Sequence, residues 1–240
     1  MQNSKQTTPT IPYPRQNRSY SCRETRLDFN QKQIFETEWP RYGISLSAGQ
    51  LLNFDAIFAR TAPRVLEIGF GDGASLLAMA KACPEKDFIA VEVYRRGIAR
   101  LLAGIIKYSL TNIRVILKDA VEVISDYIPD DSLQAVQIYF ADPWPKTRHH
   151  KRRLIQQAFI STLSQKLVSG GTIHCATDWQ NYAQHMMSVL SENKALTNKA
   201  GVNIFLERPS FRPVTKYERR AEKQGRAIFD LMFELGSAPA

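Results

Sequence analysis

The sequence predicts an α/β domain, a doubly wound, mostly parallel sheet with helices on both faces, ending in an antiparallel strand. Three observations carry that expectation. Short apolar runs alternate with amphipathic stretches from about residue 64 onward; the runs are apolar on consecutive residues, as strands buried on both faces are; and the first run ends in a glycine-rich turn.

The expected strands, in order, are RVLEIGF, FIAVEVY, IRVIL, LQAVQIYF, GTIHCAT and, near the C-terminus, AIFDLMFEL. Between the second and third, RRGIARLLAGIIKYSL places Ile98, Leu101, Leu102, Ile105, Ile106 and Leu110 at the three-and-four spacing of one helix face. RLIQQAFISTLSQKLV and NYAQHMMSVLSEN read the same way. Residues 1 to about 24 are polar, proline-containing and almost without aliphatic side chains, and are expected to form a flexible basic arm before one domain spanning 25–240.

Composition narrows the class of partner. The chain has 240 residues, 44% of them apolar, a formal charge of +9 and a pI near 9.5. Such a balance points to an anionic macromolecule, and nucleic acid fits. Cys22, Cys83 and Cys175 are odd in number and widely spaced, which indicates neither a disulfide framework nor a metal site. No apolar run reaches the roughly 18 residues of a membrane span, and the N-terminus has no signal-type apolar stretch. A cytoplasmic protein away from membranes is expected; no protein partner is predicted from the sequence, and monomer and homodimer both stay open.

In a doubly wound sheet, ligands bind beyond the C-terminal strand ends where strand order reverses. Gly69, Gly71 and Gly73 stand in the turn after the first strand, where glycines let the backbone approach a bound cofactor. Glu92 ends the second strand, where a carboxylate can accept both ribose hydroxyls. The GxGxxG/A spacing of Gly69, Gly71 and Ala74 would also suit a dinucleotide. Glu67, within the first strand, argues against one, because a carboxylate repels a pyrophosphate and attracts an ammonium or sulfonium. S-adenosylmethionine carries both. Asp119 ends the third strand, either as a helix N-cap or as an acceptor for the adenine amino group.

The fourth strand runs into ADPWPKTRHHKRR. Asp142 is placed at the cofactor's reactive end, and Pro143 and Pro145 stiffen the chain around it. Trp144 either stacks on a base or packs as a wall. Lys146, Arg148, Lys151, Arg152 and Arg153, with His149 and His150 between them, form a run that phosphates would neutralise; a solvated helix start is the other reading. Asp178, after the fifth strand, is a second acceptor or an N-cap. In TKYERRAEKQGR, the cations Lys216, Arg219, Arg220, Lys223 and Arg226 suit phosphates, while Glu218 accepts from a base or holds Lys216.

Taken together, LEIGFGDG, VEVY, ADPWPKTRHHKRR, ATDWQNY and PVTKYERRAEKQG resemble, in this order and spacing, the bacterial tRNA (guanine-N7)-methyltransferase family over roughly residues 40 to 235. The resemblance implies methyl transfer from S-adenosylmethionine, leaving S-adenosylhomocysteine, to N7 of the guanine at tRNA position 46 in the variable loop, without a metal. It implies cofactor contacts at Glu67, Glu92, Asp119 and Asp142, with Asp142 also catalytic. It further implies substrate contacts at Lys146, Asp178 and the segment Thr215, Lys216, Tyr217 and Glu218, and RNA contacts along Arg148, His149, His150, Lys151, Arg152 and Arg153. Ala141 and Thr147 stand where the family often has proline and lysine, and Tyr217 replaces its phenylalanine.

Overall fold

The structure is a computed structural model that describes residues 19–20 and 26–236. The expected arm lies outside the described residues except for Ser19 and Tyr20. Seven strands form one sheet in the order β3-β2-β1-β4-β5-β7-β6. They are β1 (Arg64–Ile68), β2 (Asp87–Glu92), β3 (Ile113–Leu117), β4 (Leu133–Tyr139), β5 (Leu167–Thr177), β6 (Leu196–Asn198) and β7 (Phe229–Leu235). The first five are parallel, and β7 runs antiparallel between β5 and β6.

Both faces of the sheet are covered, which is why its strands carry apolar residues on consecutive positions. In β1, Val65 enters one apolar cluster while Leu66 and Ile68 enter the other. The first cluster is completed by α1 (Phe29–Tyr42), α3 (Ala74–Ala82) and α4 (Arg95–Lys107). The second is completed by α2 (Phe54–Phe58), α5 (Ala120–Asp126), α6 (Gln157–Lys166) and α7 (Gln180–Glu192). The last helix, α8 (Lys216–Lys223), precedes β7, and a 3-10 helix, Thr147–Arg152, follows β4.

Helix α1 is not anticipated from the pattern FETEWPRYGI, yet its start is written in the sequence as a capping box. Asp28 accepts from the Gln31 amide at 2.9 Å, and the Gln31 side chain accepts from the Asp28 amide at 3.3 Å. Phe35 and Trp39 stack on its inner face, and Arg95 lies over Phe35. Pro40 sits in the last turn, just before the helix ends at Gly43. Chain order reverses about β1, because β2 and β3 extend to one side of it and β4 to the other. The crevice at the C-terminal ends of β1 and β4 is therefore the place where a ligand site belongs.

Candidate functional site

A cavity of about 310 Å³ opens at that crevice, within the size range of small-molecule sites. Of the residues expected there, Gly69, Gly71, Glu92, Asp142, Lys216 and Tyr217 line it. The turn from β1 to α3 holds Gly69, Gly71 and Gly73 at left-handed φ of 72°, 64° and 77°. Gly71 matters most, since its amide donates to Glu92 Oε2 at 3.2 Å and ties the turn to the end of β2. The other Glu92 oxygen accepts from the amides of Val93 and Tyr94 at 2.7 and 3.2 Å, at the start of α4. Burial nonetheless raises the Glu92 carboxyl above its ordinary value; the three amides oppose the shift and the nearby charge of Asp142 adds to it.

Glu67 lies one residue behind the cavity wall in the centre of the sheet, 3% exposed, with Oε2 lacking a partner among the described residues. Burial, then the charge of Glu92, pushes its carboxyl up to about 8. Asp119 serves as the N-cap of α5, accepting from the Val121 amide at 2.8 Å. Asp178 is not a cap, because Trp179 holds that position in α7; Asp178 is ion-paired to Arg226 at 2.9 Å.

The stretch from Phe140 to Arg153 separates into parts that the sequence presents as one. Asp142 is exposed at the cavity lip. Phe140 and Trp144, two residues either side of it, have left-handed φ of 55° and 43°. The Trp144 indole donates to Ser19 O at 2.9 Å, carries the Arg152 guanidinium 3.6 Å above its ring, and meets His149 edge-on. Lys146, Arg148 and Lys151 are exposed and have no ion-pair partner among the described residues. Desolvation and then the flanking Arg148, Arg152, Lys146 and Lys151 lower the His149 pKa. Arg153 does not share their exposure. It is 3% exposed, and its guanidinium points inward to Pro143 and Asn181.

Helix α8 starts at the cavity mouth. Thr215 caps it by accepting from the Glu218 amide at 3.1 Å. Lys216 Nζ reaches Asp72 of the glycine turn at 2.9 Å, and the Tyr217 ring stacks on Phe140 at 6.0 Å. Glu218 is placed differently from both sequence alternatives. It is buried, and its carboxylate is held by Arg212 Nη1 at 2.5 Å and approached by Arg208, while Lys216 reaches Asp72 instead. Arg212, fully buried, also grips both oxygens of Asp230 on β7 at 2.7 and 2.8 Å. Asp230 in turn meets His174 Nε2, and His174 Nδ1 meets the Tyr139 hydroxyl.

Some participants escaped the sequence reading. Arg96, Arg100 and Lys118 add positive charge to the cavity rim. Gly97, in the first turn of α4, packs on the glycine turn so closely that a Cβ there would stand 2.2 Å from the Gly71 carbonyl oxygen. Its signal was a glycine early in an otherwise apolar helix face, which is ambiguous without the packed turn.

Comparison with known proteins places this geometry. A family model described as "Putative methyltransferase" matches residues 61–231. The tRNA (guanine-N(7)-)-methyltransferase of Alcanivorax borkumensis is 50% identical over 217 residues, 90% of each chain. The protein of the same name from Leifsonia xyli is 48% identical, covering 90% of this chain and 94% of its own. Among solved structures, the 16S rRNA methyltransferase KamB superposes with a TM-score of 0.58 at 13% identity, covering 82% of this chain and 99% of its own. An antibiotic-related methyltransferase gives 0.56 at 15%, over 80% and 96%. These two show the shared fold. With a methyltransferase crevice at the β1–β4 reversal and near-half identity along nine-tenths of its length, this chain belongs to the tRNA (guanine-N7)-methyltransferase family.

Proposed function

We propose that the protein methylates N7 of a guanine in tRNA with S-adenosylmethionine as donor, in the cytoplasm, and that the guanine is that of position 46 in the variable loop. One observation carries the reading: an exposed carboxylate, Asp142, stands on the lip of the cavity, beside the exposed cations Lys146, Arg148 and Lys151 in and next to the adjoining 3-10 helix. The residues fit the donor. Glu92 offers acceptor oxygens for a ribose diol, Ile68, Val91 and Ala120 offer apolar walls, and Glu67 keeps a buried oxygen in want of a donor. When bound, the cofactor supplies an electrophilic methyl on a sulfonium.

The remaining work falls to this chain. Guanine N7 presents an in-plane lone pair and no proton, so no general base is needed; alignment and a site for the positive charge arriving on the ring are. Asp142 meets both needs, by accepting from the guanine edge or by facing the charged imidazole. Lys146, Arg148 and Lys151 dock phosphates outside, where their charge steers the RNA without crowding the reacting ring. Lys216 and Tyr217 close the mouth from α8. Incubation of purified protein with unmodified tRNA and donor, followed by mass analysis of nucleosides, is expected to yield 7-methylguanosine in the variable loop. Methylation of free small molecules, or of no nucleoside, would defeat the proposal.

A further inference from the structure

We propose that Arg153, the last cation of the basic run, is a positioning residue that fixes the Asp142 loop and is not a phosphate contact. The inference rests on the reading of Asp142 given above. The 3-10 helix ends at Arg152, and Arg153 is its C-cap, its own amide donating to His150 O at 2.9 Å. Its backbone turns extended there, with φ −59° and ψ 137°, and this change of direction sends the side chain inward while Arg148 and Lys151 stay at the surface.

Inside, the guanidinium meets two neutral acceptors. Nε donates to Pro143 O at 2.9 Å, and Nη2 donates to Asn181 Oδ1 at 2.6 Å on α7. The plane lies over the Tyr182 ring, 5.0 Å from its centroid. Pro143 O belongs to the Pro143–Trp144 peptide, one residue beyond Asp142, so one donor of Arg153 holds the loop peptide just past the carboxylate. That peptide needs holding. Phe140 and Trp144 are non-glycine residues in left-handed conformation, and such residues persist only where their surroundings fix them. Phe140 is fixed by its amide to Ala176 O at 2.7 Å, and Trp144 by its indole and by Arg152. Arg153 supplies the anchor between them and ties it to a helix of the core. Arg's rigid fork reaches both acceptors at once, whereas a lysine ammonium serves one with good geometry.

The test uses full-length Arg153→Met, Arg153→Lys and Asn181→Ala beside the wild type. Three quantities are read: single-turnover methylation at saturating tRNA per folded site, the log–log salt dependence of tRNA binding, and hydrogen exchange of the 140–147 amides. Arg153→Met is expected to slow the saturated rate by roughly 10–100-fold, the cost of a displacement near 1 Å. Loop exchange should quicken, while the salt slope stays at its wild-type value; a lost phosphate contact would flatten it by about 0.7–0.9. Arg153→Lys should recover part of the rate, and Asn181→Ala, which leaves the cation in place, should show the same signs more weakly. If Arg153→Met does not fold, Asn181→Ala decides.

A flattened slope with an intact saturated rate would return Arg153 to the phosphate-binding surface. An unchanged rate per folded site with unchanged loop exchange would make it a packing residue, whatever the melting temperature does. A lost rate without faster loop exchange would place the effect elsewhere. Each of these overturns the proposal. Absence of 7-methylguanosine from the wild type would instead defeat the proposed function, and loop exchange alone would then judge the positioning.

Discussion

At the scale of single residues, the buried carboxylates Glu67 and Glu92 beside the cavity make binding and stability depend on protons. Glu67 has a folded pKa raised from an ordinary 4.5 to about 8, so between those values the folded chain holds a proton that the unfolded chain has released. Its contribution to stability is complete below the lower value and is lost as pH rises through the upper one. The denaturant midpoint of the cofactor-free protein should therefore fall between about pH 5 and about pH 8, and Glu67→Gln should flatten that fall. Binding of a cationic cofactor should expel the proton near neutrality, which calorimetry in buffers of different ionisation enthalpy would count. Asp142→Asn keeps size and removes charge; single-turnover methylation should drop by about 10²-fold or more with tRNA affinity nearly unchanged. Both carboxylates were legible from their place at strand ends. What escaped was direction: spacing cannot tell Arg153 from Arg152, because the reversal between them depends on where a 3-10 helix stops. For the same reason Glu218 reads as a surface acid until Arg212 is seen beside it.

At the scale of elements, the proposed function has the exposed side of the 3-10 helix and the strand ends divide the labour between docking and chemistry. Replacing Arg148 and Lys151 together by Ala should flatten the log–log salt dependence of tRNA binding by about 0.7–0.9 per contact and raise KM more than it lowers the saturated rate. Filter binding across a salt series checks this. Arg152 belongs in a separate variant, because its stacking on Trp144 means that its loss disturbs the Asp142 loop as well as the field. The central strands and the α4, α6 and α7 helices were readable because each buries a continuous apolar face. By contrast, α1 buries little beyond Phe35 and Tyr42 and contains Pro40, so periodicity is faint and its capping box is the stronger sign. The three-residue β6 has no sequence signal at all, since it exists only by pairing with β7.

Across the whole molecule, the sheet is more than a floor for the cavity. Tyr139, His174, Asp230, Arg212 and Glu218 form a buried polar chain from β4 across β5 and β7 to α8. Removing the buried guanidinium by Arg212→Met leaves Glu218 to the partly exposed Arg208 and Asp230 to His174, and should destabilise the fold by about 3–5 kcal/mol. Urea unfolding would read this as a lower midpoint with little change in slope. The class of fold was legible from alternation of strands and helices; this chain was not, because its members are scattered over some 90 positions, from Tyr139 to Asp230, and look like ordinary polar punctuation. The same helix sets Lys216 against Asp72, where the lysine, with Arg100 and the Ala74 amide, outweighs burial and holds that carboxyl below its usual range. This bridge joins the glycine turn to α8, so if the proposed function holds, an RNA phosphate that draws Lys216 away must also loosen the turn. The two ligands then share one cation as a common clasp, and linkage makes the debt mutual: whatever factor tRNA imposes on the affinity for S-adenosylhomocysteine, the nucleoside product must impose on tRNA. Spent cofactor and finished RNA would leave the enzyme as coupled events, each easing the other's departure or hindering it by an equal amount.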